Sequence, residues 1–204
     1  MSVHLLDFNG GVTNRGTAAI EAIARPVARW GVRDRGELPG SHDGTWILTG
    51  GPGSPLEDGP WRAPLVEALV ERVRTGAPTL AICYGFEILA HALGAEVRPL
   101  ARRRVGVVPL RLTGAGRRDP LLRELDGAAT FENREWGVFG FGDALATGEE
   151  GDVVAVRLAP RVLGVIFHPE ADPLGARAAL GEGVEVDGLA AVHRALIAGF
   201  LEGR

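Results

Sequence analysis

The first half of the chain contains three short apolar runs, each followed within a few residues by glycine. They are VHLLDF at 3–8, TWIL at the start of TWILTGG (45–51), and PTLAI at 78–82. Runs of this length and composition are typical of buried strands. Each run therefore predicts one strand of a sheet, with a turn at its carboxyl end.

Segments with a helical spacing of apolar residues alternate with these runs. In residues 17–31 the apolar side chains can share one helical face, with Pro26 expected to kink the helix and Gly31 to end it. Residues 61–76 show a second amphipathic pattern, and a third helix is predicted from residue 84 to about residue 93. Strands that alternate with helices in this way indicate a mainly parallel sheet with helices on both faces.

After Gly94 the pattern changes to short strand-like runs separated by glycine and charged residues. These runs are AEVRPL, VGVVPLRL, AATFEN, ALATG, DVVAVRL and RVLGVIF. They predict antiparallel or mixed strands added at one edge of the sheet. Helical spacing returns in DPLGARAALG and again in residues 186–203, where one side carries Leu189, Val192, Leu196 and Phe200.

Together these elements predict an α/β fold of the flavodoxin-like type. We expect an open, mainly parallel sheet with helices on both faces and a small mixed or antiparallel extension at its edge. The length of 204 residues suits one domain, and no linker or internal repeat divides the chain. We therefore expect residues 1–204 to form a single domain.

Composition and charge exclude several classes of protein. Apolar residues make up 46% of the chain and charged residues 24%, as in ordinary globular proteins. The formal net charge of −4 argues against nucleic acid as the main partner. The N-terminal residues do not resemble a signal peptide, and no segment approaches the roughly 20 apolar residues that a membrane helix needs. We expect a cytoplasmic protein without a membrane partner.

Cys83, the single cysteine, lies at the turn between the third predicted strand and the helix that follows it. One thiol cannot form an internal disulfide, and cysteines are too few for a structural zinc site, so we expect no metal and no cofactor. Gly85, two positions later, is typical of a nucleophile elbow, which exposes a side chain at the end of a sheet. The helix dipole is expected to favour the thiolate. The alternative is a buried structural cysteine.

A histidine and an acid that complement Cys83 lie far along the chain. In GVIFHPEAD, His168 comes directly after a predicted strand, and Glu170 follows two positions on. A histidine beside the thiol can take its proton, and an acid on the other ring nitrogen holds the tautomer. No other histidine of the chain has an acid so placed at the end of a strand, so we predict a Cys83–His168–Glu170 triad.

The glycine turn in LTGGPGSP, after the second apolar run, completes the predicted site. An ordinary tight turn is the alternative interpretation. With a nucleophile present, we expect the backbone N–H groups of Gly51 and Tyr84 to form an oxyanion hole. Gly50 and Pro52, in the same turn, are assigned to the substrate-binding set. Loops after neighbouring parallel strands meet at the edge of the sheet where open α/β proteins bind ligands.

The chain resembles the class I, triad-type, glutamine amidotransferases. The resemblance rests on GGP at 50–52, AICYGFE at 81–87 and HPE at 168–170, which match the family pattern of a GGP turn, then G-x-C-x-G-x-Q, then H-P-E. The resemblance extends over about residues 3–170. The chain is similar in this way to the glutaminase domains of GMP synthase, anthranilate synthase and carbamoyl phosphate synthetase. Three motifs in this order are far more specific than any one of them.

The resemblance implies a reaction. The Cys83 thiolate attacks the side-chain amide of glutamine, ammonia leaves with a proton from His168, and water hydrolyses the resulting γ-glutamyl thioester. In the family, the ammonia passes to a synthase site. We expect that site on another polypeptide, because 204 residues leave no room for a synthase domain.

Glu87 is the main departure from the family pattern, which has glutamine at this position and glycine where Ala81 stands. Four residues after Cys83, Glu87 lies on the same helical face, close to the nucleophile. In the family, the amide there helps to hold the backbone end of the substrate. A carboxylate cannot donate to the substrate α-carboxylate, but it can accept a hydrogen bond from the α-ammonium group.

A second departure lies in FENREWGVF (131–139), which resembles a substrate-cradling stretch of carbamoyl phosphate synthetase small subunits. Asn133 and Trp136 match that stretch, whereas Arg134 and Glu135 replace histidine and glycine. Arg134 is predicted either to pair with Glu87 or to bind a carboxylate. A surface strand of alternating charge is the alternative. We assign Asn133, Arg134 and Trp136, with Glu87, to substrate binding.

Three functions remain open from the sequence. The chain is an ammonia-generating glutaminase that works with a separate synthase, a free-standing hydrolase of γ-glutamyl amides or peptides, or a regulatory glutamine-binding module weakened by Glu87. The basic cluster Arg102–Arg104 is interpreted as a solvated turn in preference to an anion site.

Overall fold

The computed structural model describes residues 2–11, 15–25, 27–171, 173–180 and 189–204. For residues 178, 179 and 190–194, all within helices, the description is limited to the backbone.

A seven-stranded sheet forms the centre of the molecule. Its strands are β1 (Val3–Asp7), β2 (Val27–Gly31), β3 (Thr45–Leu48), β4 (Thr79–Ile82), β7 (Ala146–Thr147), β8 (Val153–Ala159) and β9 (Val162–Val165). They lie in the order β2-β1-β3-β4-β9-β8-β7, and the first five are parallel. This order is that of a flavodoxin-like sheet, with β8 and β7 added antiparallel at one edge. The predicted fold class is confirmed.

The four central strands are buried because helices cover the sheet. Nearly every residue of β1, and every residue of β3, β4 and β9, is buried. Such uniformly apolar strands are characteristic of parallel sheets, whose two faces are both covered. The apolar runs predicted as strands near residues 3, 45 and 78 are therefore the core of the fold.

Six helices are described: α1 (Arg15–Ile23), α2 (Val32–Arg35), α3 (Arg62–Thr75), α4 (Tyr84–Ala92), α5 (Pro173–Leu180) and α6 (Leu189–Leu201). Helix α1 packs with α6, and α3 packs with α4. The crossover from β1 to β2 runs in the opposite direction to that from β3 to β4, and such crossovers are right-handed. The two helix pairs therefore lie on opposite faces. None of the described helices combines the length and apolar character needed to cross a membrane.

The helix predicted over residues 17–31 is wrong in its second half. Helix α1 ends at Ile23, and residues 27–31 form β2, which pairs in parallel with β1. Trp30 donates a hydrogen bond from Nε1 to Nδ1 of His4 on β1, at 3.2 Å. Apolar residues at 27 and 30 fit a helix face and a short strand equally well, so their spacing did not distinguish the two. Pro26 lies outside the described residues.

A second correction concerns the strands after Gly94. Two of the predicted runs belong to one strand, β5 (Glu96–Pro109), which pairs antiparallel with β6 (Ala129–Phe139) in a separate two-stranded sheet. The register between them shifts between Pro99 and Arg104. The cluster Arg102–Arg104, predicted as a turn, therefore lies within this strand at its irregular segment. We call this β5–β6 pair the arm.

Both C-terminal helices are present where their apolar spacing predicted them. Leu189, Leu196 and Phe200 of α6 are buried, as expected. The side chain of Val192 lies outside the described residues.

Candidate active site

Four parallel strands bring their carboxyl ends to one cavity. The cavity has a volume of about 580 Å³ and is lined by Asn9 after β1, by residues 50–53 after β3, by Cys83 after β4 and by His168 after β9. The chain reverses its direction through the sheet between β1 and β3, and ligands bind at such switch points in open α/β folds.

Cys83 occupies a strained elbow. Its backbone has φ of 47° and ψ of −112°, and Cys83 is the only described residue other than glycine with a positive φ. Hydrogen bonds on both sides hold it: its N–H donates to Val165 O at 2.8 Å, and its carbonyl accepts from Glu87 N at 2.9 Å. Gly85 is required because a Cβ there would lie 2.5 Å from Cβ of Leu48. Strain of this kind costs about 1–3 kcal/mol and clusters at functional sites.

His168 is positioned by the arm and by Glu170. Its backbone N–H donates to Phe131 O of β6 at 2.8 Å, and its ring lies 5.9 Å from the Phe131 ring, centroid to centroid. Nδ1 of His168 lies 2.8 Å from Oε1 of Glu170, and the imidazole is within hydrogen-bonding reach of the Cys83 thiol. The three residues of the predicted triad are therefore in contact, in the order thiol, imidazole, carboxylate.

Burial and neighbouring charges shift the pKa values of both Cys83 and His168. Burial raises the pKa of the Cys83 thiol above its ordinary value, and His168 opposes that rise without cancelling it. Burial also acts to lower the pKa of His168, but the Glu170 carboxylate and Cys83 outweigh it, so the pKa of His168 lies well above its ordinary value. The helix dipole therefore does not by itself give the thiolate expected from the sequence. The geometry supplies a base instead, strengthened by its carboxylate.

The glycine turn after β3 lies directly against these groups. A Cβ on Gly50 would lie 2.8 Å from Cε1 of His168 and 3.6 Å from Cβ of Cys83, and a Cβ on Gly51 would lie 2.8 Å from Phe8 O. In the described part of the chain, the N–H groups of Gly51 and Tyr84 donate no hydrogen bond. Gly51 lines the cavity, whereas Tyr84 is buried and is not among the lining residues, so the oxyanion hole stays a prediction.

The side chain of Tyr84 points away from the cavity into a polar cluster. Its hydroxyl donates to Oε1 of Glu57 at 3.0 Å, and the guanidinium of Arg33 lies 5.2 Å from the centre of its ring. Arg33 Nε also lies 2.6 Å from Glu57 Oε1. The side chain of Tyr84 therefore anchors the elbow to the β3–α3 loop, and a role of its backbone N–H in the site stays a prediction.

Most residues predicted from the sequence line the cavity. They are Gly50, Gly51, Pro52, Cys83, Glu87, Asn133, Arg134, Trp136, His168 and Glu170. Sequence reasoning missed Asn9, Arg15, Arg103, Phe131 and Glu135, which also line it. The apolar patterns identify strand and helix faces, but they do not show that the arm folds over the sheet edge.

Arg134 does not pair with Glu87, contrary to one prediction. Its Nε donates to Glu132 Oε2 at 3.0 Å, its Nη2 to Asp152 Oδ2 at 2.6 Å and its Nη1 to Trp136 O at 3.2 Å. Arg134, Glu132 and Asp152 are all buried, so the alternative of a charged surface strand is also wrong. Two nearer acids neutralise this arginine, and its bond to Asp152 fixes the arm to the residue that precedes β8. A role in substrate binding stays a prediction.

Glu87 is buried beside Cys83, and no ion pair or hydrogen bond to its carboxylate is found among the described residues. Burial is the main cause that raises its pKa to about 7, against the opposing charges of Arg134 and His168. A charged Glu87 in turn contributes to the high pKa of Cys83. The acid therefore lies in the cavity with its hydrogen-bonding capacity unused.

Comparison with known proteins identifies the family. The model of the class I glutamine amidotransferase family matches residues 5–180. The chain belongs to this family. GMP synthase [glutamine-hydrolyzing] of Leifsonia xyli subsp. xyli is 36% identical over 135 residues, which cover 61% of this chain and 25% of that protein. The chain thus spans about a quarter of the length of that curated relative.

Two solved structures share the fold of this chain. A glutamine amidotransferase from Methylobacillus flagellatus aligns with a TM-score of 0.78 at 20% identity, covering 99% of this chain and 94% of its own. A glutamine amidotransferase from Thermotoga maritima aligns with a TM-score of 0.77 at 19% identity, covering 98% of both chains. At these identities the likeness concerns the fold alone.

Glu87 should make the stability of the folded chain depend on pH. Its folded-state pKa of about 7 exceeds the ordinary value of 4.5. The stability that protonation gives is therefore present below pH 4.5 and is lost as the pH rises through 7. The glutamine in Glu87→Gln does not titrate. We therefore expect the free energy of unfolding of this variant, minus that of wild type, to be about 3 kcal/mol larger at pH 8 than at pH 4.5.

Urea unfolding of both proteins across this pH range measures the difference. Glu67→Gln is the matched control for the loss of one carboxylate, because Glu67 is exposed on α3. A Glu87→Gln difference that stays constant from acid to alkaline pH would contradict a buried, titrating Glu87.

Proposed function

We propose that this chain is a glutaminase in which Cys83 is the nucleophile. The observation that supports this most directly is the contact sequence Cys83–His168–Glu170 on the wall of a cavity. His168 takes the thiol proton, and the sulfur attacks the side-chain amide carbon of glutamine. The developing oxyanion is held by the N–H groups of Gly51 and Tyr84.

Collapse of this tetrahedral intermediate breaks the C–N bond. His168 returns the proton to the leaving nitrogen, so ammonia departs and a γ-glutamyl thioester remains on Cys83. Water, deprotonated by His168, then attacks the thioester carbon, and the C–S bond breaks to release glutamate and restore the thiol. Glu170 stabilises the imidazolium in both steps, consistent with its 2.8 Å contact with His168 Nδ1.

The ammonia acceptor in this proposal is a synthase site outside these 204 residues. The glutamine-hydrolysing GMP synthase relatives support a synthase partner, since this chain corresponds to about a quarter of the Leifsonia xyli protein. The nature of the product made from the ammonia depends on that partner.

A second candidate is hydrolysis of γ-glutamyl amides or peptides without a synthase. Glu87 favours it, because an acid stands where the family has the substrate-holding amide and is free to select a different ligand. A cavity of about 580 Å³ also has room for a group attached to the γ-amide nitrogen.

Release of ammonia and glutamate by the purified chain distinguishes these functions. We expect glutamine hydrolysis that increases when the correct synthase is added and that is absent in Cys83→Ser. Faster hydrolysis of γ-glutamyl peptides than of glutamine, with no effect of any synthase, would favour the second candidate. Binding of glutamine without Cys83-dependent turnover would contradict both and indicate a regulatory module.

A further inference from the structure

The arm places one arginine in the cavity at the irregular part of β5. Arg103 lies in the segment where the pairing of β5 with β6 shifts, between Pro99 and Arg104. Irregularities of this kind redirect a side chain out of the regular alternation of a strand. Arg103 lines the same cavity as Cys83, and its side chain is 57% exposed. It therefore lies towards the open end of the cavity, whereas buried Glu87 lies at the inner end.

Contacts from β6 orient the Arg103 side chain. Nη2 donates to Oδ1 of Asn133 at 2.8 Å, and Nε lies 3.8 Å from Oε1 of Glu135. Both partners also line the cavity. One neutral amide and one distant, exposed carboxylate leave most of the five guanidinium N–H donors available for a ligand. A planar guanidinium with two parallel donors is well suited to a carboxylate.

The neighbouring cations are engaged elsewhere. Arg102 and Arg104 point to Glu149, at 3.9 and 3.6 Å, and do not line this cavity. Arg134 is held by two buried acids, and His168 by Glu170. Arg15, at the start of α1, lines the cavity too and has interactions of its own.

The cavity therefore presents an acid close to the nucleophile and an arginine nearer solvent. A γ-glutamyl group attached to Cys83 through its side-chain carbon carries an α-ammonium and an α-carboxylate at its other end. Glu87 is suited to the first, since it accepts hydrogen bonds and gains a favourable charge interaction from an ammonium. Arg103 is suited to the second. The two protein charges match the two charges of a free α-amino acid end.

We propose that Arg103 binds the α-carboxylate of the γ-glutamyl substrate, while Glu87 faces its α-ammonium group. This inference rests on the proposed hydrolysis at Cys83. It restricts the substrate class to γ-glutamyl compounds whose α-carboxylate is free, and it makes Arg103 a specificity-determining residue that sequence reasoning treated as part of a solvated turn.

Steady-state kinetics of Arg103→Ala on glutamine tests the proposal, with Arg102→Ala as the matched control on the same strand. We expect Arg103→Ala to raise KM for glutamine by about 10- to 100-fold with little change in kcat, since a hydrogen bond to a charged group is lost. Arg103→Lys should recover part of that loss, because a lysine keeps the charge without the planar pair of donors. Arg102→Ala should match wild type.

Substrate analogues identify the group that Arg103 recognises. Glutaramate keeps the carboxylate and lacks the ammonium, so it should lose affinity in Arg103→Ala as glutamine does. 4-Aminobutanamide lacks the carboxylate, so its kcat/KM should be the same in Arg103→Ala and wild type. An equal loss on both analogues would mean that Arg103 only shapes the arm, and would overturn the proposal.

Further outcomes separate this inference from the proposed function. A wild type that hydrolyses glutamine through Cys83, with equal KM in Arg103→Ala and Arg102→Ala, overturns the role of Arg103 alone. A loss confined to Arg15→Ala would move the carboxylate site to α1 and overturn it as well. A wild type that releases ammonia from none of the three amides overturns the proposed function, and this inference with it.

Discussion

Replacing Cys83 by serine is expected to lower glutamine hydrolysis by about 10⁴-fold or more, since loss of the nucleophile in a hydrolase triad costs up to about 10⁶-fold in kcat. A hydroxyl is far less acidic than a thiol, so His168 cannot generate the corresponding anion. The burial that already raises the pKa of the thiol would disfavour an alkoxide even more strongly. Ammonia release at saturating glutamine measures the effect.

The same variant should fold as the wild type does. Serine is close in size to cysteine, and the backbone bonds from Cys83 to Val165 and Glu87 do not involve the side chain. We therefore expect the melting temperature to change little and glutamine binding to persist. Alkylation with an electrophile analogous to glutamine should label the wild type and leave Cys83→Ser unlabelled. Activity above a small fraction of wild type in a folded Cys83→Ser protein would exclude Cys83 as the nucleophile.

The part of the site formed by local sequence signals was predictable. The apolar run before Cys83, the glycine after it and the helix that follows all occur within a few residues, and a parallel strand entering a helix leaves few geometries for that turn. His168 could be predicted for a similar reason, since it follows a buried strand and has Glu170 two positions later. The parallel order of strands then places both turns at one edge.

The contacts of the arm were not predictable from sequence periodicity. Arg134 binds Asp152, which is 18 residues away and directly precedes β8, and nothing in the local pattern of either segment identifies the other. Arg103 lies where strand pairing is irregular, so neither alternation nor helical spacing assigns its direction. Residues 27–31 were predicted as helix and form a strand for a similar reason. Five residues are too few to distinguish the helical period of apolar residues from the alternation of a strand.

Replacing His168 by alanine is expected to lower kcat/KM for glutamine by about 10²- to 10⁴-fold, the usual loss for a general base. The imidazole is the group within hydrogen-bonding reach of the thiol. In the proposed mechanism it carries the proton to the leaving ammonia. His91→Ala is the matched control, because His91 is exposed on α4 and does not line the cavity. Turnover by His168→Ala at the rate of His91→Ala would contradict the triad.

Glu170→Gln should have a smaller effect on rate and a distinct effect on pH dependence. The Glu170 carboxylate raises the pKa of His168, so an uncharged amide in its place should lower that pKa. A base works in its neutral form, and the acidic limb of the profile of kcat/KM against pH should therefore move to lower pH. If Glu170 only held the fold, the rate would fall with the limb unmoved, because loss of packing does not change the basicity of the imidazole. A limb that shifts towards acid, with a rate between those of wild type and His168→Ala, would mean that the carboxylate acts on the reaction through His168.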